Sequence, residues 1–384
     1  MYAVIMAGGK GTRFWPKSRE KMPKHLLDIV SSRTIIQETI ERIEPLIPKE
    51  NILIVTGESH ADELMRQVPH IPRDNIIIEP LGRNTAPCIG IAAFHIRRKS
   101  PHDVMVVLPA DHMIADASRF RDLLSIAADM ASSGDYLVTI GIRPISPETG
   151  YGYIERGDFK AAIKGENIYA AKSLREKPPL KQAKAFLKKG GFCWNSGMFV
   201  WNVDTILRAI KKWLPHVHQG LMRIEDATGT EREREAVRLA YQTIPSISID
   251  YGVMEKADNI LLIEGDFGWS DIGSWDALWE VSDKDENGNA ANCRDLFIGE
   301  KIENSLLLRQ FRAKTVHQAD RAVLIRPQKR MRKIETNQKL LDLDSAKEQL
   351  DRKLAAAQHS VAVFELIRRH HFDLMAFAPE ELRD

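Results

Sequence analysis

Short apolar runs alternate with amphipathic stretches through the first part of the chain. Val4 to Met6, Ile52 to Val55, Ile76 to Ile78, Val104 to Leu108 and Leu137 to Ile140 are the runs. Their length suits strands buried on both faces better than helices. Between them Ile36, Ile40 and Ile43 recur at spacings of four and three, which predicts an amphipathic helix, with Ser31 or Ser32 as its cap. Strands alternating with helices predict βαβ units and an α/β fold built on a mostly parallel sheet. Ligands of such sheets bind beyond the carboxyl ends of the strands, so the segments just after the apolar runs are where chemistry is expected.

The pattern changes near residue 285. Asp283 to Asn292 is polar and reads as a linker. This divides the chain into a first domain, 1–285, and a C-terminal region, 286–384. From Lys301 to Asp384 there are 17 Lys and Arg against 12 Asp and Glu, a net charge of +5, and the rest of the chain carries −3. Thr336 to Arg369 is rich in Leu, Ala, Lys, Glu and Gln, so the C-terminal region reads as basic and helical. No internal repeat and no low-complexity tract is visible.

Composition narrows the class. At 384 residues, with 43% hydrophobic and 28% charged positions, the chain has the make-up of a globular protein able to bury a sizeable core. A net charge of +2 gives no reason to expect nucleic acid or a membrane surface as a partner. Arg312 to Lys333 holds eight Lys or Arg and one Asp, but no aromatics interleave beyond Phe311, so a solvated face is expected there. Cys88, Cys193 and Cys293 are far apart and odd in number, which argues against a disulfide framework and for a reducing, cytoplasmic setting. The apolar run at the N-terminus turns to glycine too soon for a signal peptide, and no run approaches membrane length.

Directly after the first run stands Ala7-Gly8-Gly9-Lys10-Gly11-Thr12-Arg13-Phe14-Trp15-Pro16. A P-loop requires Gly-Lys followed by Ser or Thr after a four-residue gap, which is absent. A dinucleotide fingerprint requires a third glycine where Phe14 stands. What remains is a loop of little side-chain bulk. The backbone N–H groups from Ala7, Gly8 and Gly9 through Gly11 and Thr12 can approach a triphosphate. Lys10, Arg13 and Lys24 add positive charge. Arg13 is suited to clamping phosphate oxygens, and Lys24 to acting as a point charge. The plainer alternative is a tight strand-to-helix turn with solvated basic residues.

Gly-Gly-x-Gly-Thr-Arg-Phe-Trp-Pro-x-Ser-Arg, followed by Pro23-Lys24-His25, resembles the signature of the sugar-nucleotide pyrophosphorylases. The Phe-Trp-Pro variant is similar to the mannose-1-phosphate guanylyltransferase (GDP-mannose pyrophosphorylase) branch. The resemblance extends over most of residues 1 to 280. It implies a Rossmann-like nucleotidyltransferase (GT-A-like) domain with a mixed, mostly parallel sheet flanked by helices. The implied reaction transfers a guanylyl group from GTP to mannose 1-phosphate with Mg²⁺ as cofactor.

The later motifs read in the same light. Glu79-Pro80-Leu81-Gly82-Arg83-Asn84-Thr85 follows the third run. The Glu79 carboxylate suits the N1–H and N2–H donors of guanine, and Asn84 or Thr85 suits a helix cap. The resemblance makes Glu79, Gly82, Asn84 and Thr85 nucleotide contacts. Asp111, after the fourth run, is a carboxylate able to hold a hard cation. The resemblance pairs it on Mg²⁺ with Asp271 of Gly268-Trp269-Ser270-Asp271, while His112 reads as structural. Gly150 in Thr149-Gly150-Tyr151-Gly152-Tyr153, Glu176 and Lys177 before Pro178, and Asn195 in Trp194-Asn195-Ser196-Gly197 offer a backbone turn, a carboxylate, an ammonium and an amide. The resemblance assigns these to the sugar phosphate. Asp250-Tyr251-Gly252-Val253-Met254-Glu255 also matches, and reads as packing near the site.

Arg13, Lys24, Asp111 and Asp271 together form the expected catalytic set. Two alternatives stay open on sequence alone: the same chemistry on another hexose 1-phosphate or nucleotide, and a non-catalytic sugar-nucleotide-binding homologue. The β-helix that commonly follows the catalytic domain in this family, and often supports its dimers, has no counterpart in the pattern after residue 295. A homodimer is therefore an open expectation.

Overall fold

A computed structural model describes residues 1–9, 12–14, 17–286, 288–291, 306–309 and 322–325. The chain divides into two compact units, Met1–Ala277 and Leu278–Asp384. The first ends before the 285 boundary suggested by the polar stretch.

The first unit is built on a nine-stranded sheet. The strands are β1 (Tyr2–Ala7), β2 (Ile52–Gly57), β3 (Ile76–Glu79), β4 (Val104–Pro109), β6 (Leu137–Ile142), β7 (Tyr153–Ile163), β8 (Glu166–Arg175), β9 (Phe192–Asn202) and β10 (Ile260–Gly265). A short β5 (Met113–Ile114) belongs to a separate pair. The spatial order is β3-β2-β1-β4-β9-β6-β10-β8-β7. β1 is parallel to β2 and β4, β2 to β3, and β6 to β10. β9 runs antiparallel to β4 and β6, and β8 antiparallel to β10 and β7. Seven of the nine strands therefore share one direction, with β8 and β9 opposed. The five strands expected from apolar runs are all present. Of the two strands that make the sheet mixed, β8 joins β7 in a half-exposed hairpin. Its two-residue turn places Lys164 and Gly165 at φ 50° and 87°, the mirror-image geometry that matches strand twist.

Helices cover both faces. Because β1 alternates, Ala3, Ile5 and Ala7 pack on one face, with α1 (Ile35–Ile43), α2 (Glu58–Gln67) and α4 (Ala117–Ser133). Tyr2 and Val4 pack on the other, with α3 (Thr85–Lys99), α6 (Val203–Trp213), α7 (Pro215–Ala227) and α8 (Glu233–Thr243). On the first face also lies α5 (Leu180–Lys189), through Ala183. The expected α1 is present with Ile36, Ile40 and Ile43 fully buried. Its cap is Thr34 rather than Ser31 or Ser32. The Thr34 N–H donates to Gln37 Oε1 at 3.0 Å, half of a capping box. Ser31 lies a turn earlier, where its hydroxyl accepts from Arg33 N–H.

In the second unit β12 (Ala290–Ala291) pairs parallel with β13 (Leu306–Arg309), and β13 antiparallel with β14 (Ala322–Ile325). Leu306–Arg309 and Ala322–Ile325, inside the region expected to be helical, are strands, and the ladder from Leu306↔Ile325 to Arg309↔Ala322 supplies their partners. The helix expected over Thr336 to Arg369 lies outside the described residues, as does most of Arg312 to Lys333. Among the described residues no helix is long and apolar enough to cross a membrane.

Candidate active site

A cavity of about 580 Å³ opens beyond the carboxyl ends of β1, β3 and β4 in the first unit. Its wall includes Gly8 and Gly9; Glu79, Gly82, Asn84 and Thr85; Asp111 and Asp271; and Gly150, Glu176, Lys177 and Asn195. Segments that the sequence could only treat one at a time thus share one space.

The glycine loop leaves β1 with Gly9 at φ +101°, a conformation costly for any side chain. Ala7 is fully buried, and its carbonyl accepts the Thr56 hydroxyl at 3.0 Å. Thr12 opens a 3₁₀ turn, Thr12–Phe14, and Gly11 lies outside the described residues. The same turn carries Arg13, which is exposed. A Cβ built on Gly273 would stand 3.4 Å from Arg13 Nη1 and 3.0 Å from Asp271 Oδ2, so guanidinium and carboxylate flank one small gap.

Asp111 and Asp271 meet because of a two-stranded ladder. Asp111 precedes β5, and Asp271 follows β11 (Trp269–Ser270). These strands pair antiparallel, Trp269 with Ile114 and Ser270 with Met113, which folds the two aspartates back toward each other. Lys24 completes the junction. Its Nζ donates to the Asp111 carbonyl at 2.6 Å, to Asp111 Oδ2 at 3.1 Å and to the Asp271 carbonyl. An ammonium has three N–H donors, and all are accounted for inside the protein. At 5% exposure, Lys24 bridges the Asp111 and Asp271 segments rather than standing as a free charge in the cavity. Burial pulls its ammonium below the usual range, against the opposing pull of Asp111. Burial would raise Asp111, but Lys24 and His112 more than offset it, and the carboxyl stays below the usual carboxylate range.

His112 stays structural. Its Nδ1 accepts from Trp269 Nε1–H at 3.1 Å, and burial lowers its pKa to about 4, so the ring is neutral. Tyr151 donates its hydroxyl to Asp271 Oδ1 at 2.7 Å and packs edge-on against Trp194 and Trp269. Among the described residues no cluster of three or more His, Cys, Asp or Glu suits a metal ion.

Glu79 ends β3 and is 6% exposed. The Tyr241 hydroxyl donates to its Oε1 at 3.0 Å. Burial raises the Glu79 pKa to about 7, with the Tyr241 hydrogen bond working against the shift. Asn84 caps α3, its side chain accepting from Thr85 N–H at 2.8 Å, and Thr85 is the first helical residue.

Glu176, Asp250 and Asn195 gather elsewhere in the cavity. Asn195 Nδ2 donates to Asp250 Oδ1 at 2.7 Å. Burial, then Asp250, raises the Glu176 pKa, while burial raises that of Asp250. Lys177, at φ 46°, holds its ammonium 3.3 Å from Glu176 Oε1 and stays largely exposed. Gly152 lies beneath them, and a Cβ there would collide with Glu176 Oε2 and stand 3.1 Å from Asn195 Cβ.

Sequence reasoning passed over four residues. Tyr151 and Asp250 lay inside quoted motifs without a role in the site, and Trp269 stood beside Asp271. Tyr241 sits in an ordinary amphipathic helix and gave no signal.

A family model described as nucleotidyl transferase matches residues 2–288. The mannose-1-phosphate guanylyltransferase of Escherichia coli (strain K12) is 39% identical over 313 residues, covering 79% of this chain and 64% of that protein. Mannose-1-phosphate guanylyltransferase 2 of Escherichia coli O157:H7 is 38% identical over 297 residues, 75% of this chain and 61% of the relative. The chain thus spans about three fifths of the length of these curated relatives. A crystal structure from Thermus thermophilus, described as a mannose-1-phosphate geranyltransferase, aligns with a TM-score of 0.69 and 30% identity over 89% of this chain and 99% of that one.

Proposed function

The chain belongs to the nucleotidyl transferase family, and from that premise we propose that it transfers a guanylyl group from GTP to α-D-mannose 1-phosphate, releasing GDP-mannose and pyrophosphate. The observation that carries the proposal is one ammonium, Lys24, bonded to both Asp111 and Asp271 on the wall of a cavity that also collects Glu79, Glu176 and Asn195. The names of the bacterial relatives support the choice of GTP and mannose 1-phosphate.

The substrate phosphate brings its own nucleophile. A phosphate monoester has a second pKa of about 6, so its oxygen attacks the α-phosphorus without a protein base, and pyrophosphate leaves in line. The protein's part is positioning and charge neutralisation. The backbone at Gly8 and Gly9 cradles the triphosphate. Glu79, when ionised, accepts the N1–H and N2–H donors of guanine. Glu176 and Asn195 take sugar hydroxyls, Lys177 holds the sugar phosphate, and the exposed Arg13 neutralises the departing pyrophosphate. Lys24 acts indirectly, by fixing both aspartates.

The donor set also fits a hard divalent cation. Asp111 stays ionised with 36% of its side chain exposed, and Asp271 faces the same cavity. Two carboxylates, with phosphate oxygens and water filling the rest, match the habit of Mg²⁺. Asp111 and Asp271 would hold Mg²⁺, and the ion would supply positive charge that offsets the repulsion between the two phosphates. Soluble phosphorylated substrates suit a cytoplasmic enzyme.

The test uses purified protein with Mg²⁺ and mannose 1-phosphate, offered GTP, ATP, UTP and dTTP separately. Product mass and released pyrophosphate are read together. GDP-mannose from GTP is expected. No product from any nucleotide, or faster turnover of UTP or dTTP, would overturn the assignment.

A further inference from the structure

The loop that carries Glu79 is stitched to a distant segment at the end of α8. Arg83 Nε donates to the Tyr241 carbonyl at 2.7 Å, and Arg83 Nη2 to the Gln242 carbonyl at 3.0 Å. Ile247 N–H donates to the Arg83 carbonyl at 3.2 Å, and Ala86 N–H to the Ile247 carbonyl at 3.1 Å. Ile249 N–H reaches the Thr85 hydroxyl at 2.8 Å. Within this frame Tyr241 has no exposed surface, so its hydroxyl is held at Glu79 Oε1 with little freedom to leave.

We propose that Tyr241 is a positioning residue that sets the specificity for guanine, by holding the Glu79 carboxylate ionised and oriented as a pure acceptor. The inference rests on Glu79 being the base contact. An ionised carboxylate accepts from two oxygens, whereas a protonated one presents a donor. Guanine offers donors at N1 and N2, so a neutral Glu79 opposes it donor to donor. Burial drives Glu79 toward that neutral form, and the Tyr241 hydroxyl opposes the drive. Among the described residues, the other titratable group that Glu79 acts on is Cys88 on α3. Burial, then Glu79, raises its pKa well above the thiol range, so it stays neutral and does not compete. The Tyr241 hydroxyl itself is kept neutral by burial and by Glu79. Each carboxylate oxygen has two lone pairs, so the Tyr241 bond leaves Oε1 able to accept from the base as well.

A hydrogen bond to a charged group is worth enough to move a pKa by about one to two units. The test measures KM and kcat for GTP between pH 6 and 8.5, and the ratio of kcat/KM for GTP over inosine triphosphate, which lacks the N2 amino group. In the wild type, KM for GTP should rise as pH falls through about 7. In Tyr241→Phe that rise should begin at least one unit higher, the preference for GTP over inosine triphosphate at pH 7 should fall several-fold, and kcat at saturation should hold. Incorporating 3-fluorotyrosine at position 241, a stronger donor of nearly the same shape, should move the midpoint the other way. This second variant keeps the core filled should Tyr241→Phe fold poorly. An unmoved pH midpoint in either variant would overturn the inference. Glu79→Gln separates it from its premise. If that change leaves the GTP preference intact, Glu79 is not the base contact. If it abolishes the preference while the Tyr241 variants change nothing, only the role of Tyr241 is wrong.

Discussion

Replacing Lys24 by Met keeps the side-chain length and removes the ammonium. Lys24 gives its three donors to two carbonyls and one carboxylate, so the change leaves those oxygens facing an apolar tip. Stranding one member of a buried ion pair costs about 3 to 5 kcal/mol. The Asp111 side chain keeps 36% of its surface exposed, so water takes over part of the lost interaction, and the cost falls to about 2 kcal/mol. In a unit of this size each kcal/mol moves Tm by about 2–4 °C, which predicts a drop of about 4–8 °C in a melting experiment. Adding Asp111→Asn removes the stranded charge, so the double variant should melt above Lys24→Met, with a coupling energy of about 1 kcal/mol. Turnover should fall on the order of a hundredfold, because nothing else described bonds both aspartates, and more Mg²⁺ should be needed to reach the residual rate. A Tm within about 1 °C of wild type, or an additive double-mutant cycle, would refute the bridging role.

Lys177→Ala should raise KM for mannose 1-phosphate by about tenfold or more, as expected for one lost charge-assisted contact, with KM for GTP unchanged; equal effects on both substrates would count against its assignment. Gly152→Ala drives a methyl group into Glu176 and Asn195. Stability should fall by about 1–3 kcal/mol in urea titration, with use of the sugar phosphate impaired beyond use of GTP. Glu79→Gln should flatten the dependence of stability on pH. A carboxyl whose pKa rises from 4.5 to about 7 on folding contributes fully below pH 4.5, and that contribution is lost as pH climbs through 7. The wild type should therefore lose roughly 3 kcal/mol over that window relative to the variant, without nucleotide; parallel urea-unfolding profiles from pH 5 to 8 would sink this.

The parallel part of the sheet was legible because β1, β2, β4 and β6 are buried on both faces and so appear as unbroken apolar runs; β3, at the edge, keeps its run although Ile78 is exposed. Val104 to Leu108 could hardly be anything else once it was flanked by polar turns. The glycine loop was legible for a related reason: backbone that must approach a ligand excludes side chains, and that exclusion is written in composition. The cap of α1 was misplaced among neighbouring hydroxyls although the signal was present: of Ser31, Ser32 and Thr34 only Thr34 has a Gln three residues on, the capping-box spacing realised by the Thr34 N–H and Gln37 Oε1. The short strands at Leu306–Arg309 and Ala322–Ile325 were missed because a four-residue run carries almost no periodicity.

What the sequence determined by itself was the inventory: an α/β sheet, a loop fit for phosphate, and carboxylates, amides and cations waiting at strand ends. What only the tertiary structure decided was which of these touch. Lys24 looked like a charge for a ligand, and the fold uses it to bind Asp111 to Asp271. Tyr241 carried no signal in the sequence, and the fold sets its hydroxyl on Glu79. Local pattern reports whether a side chain is buried. Which partner meets it there depends on contacts between segments far apart in the chain, and those exist only once the whole unit has closed.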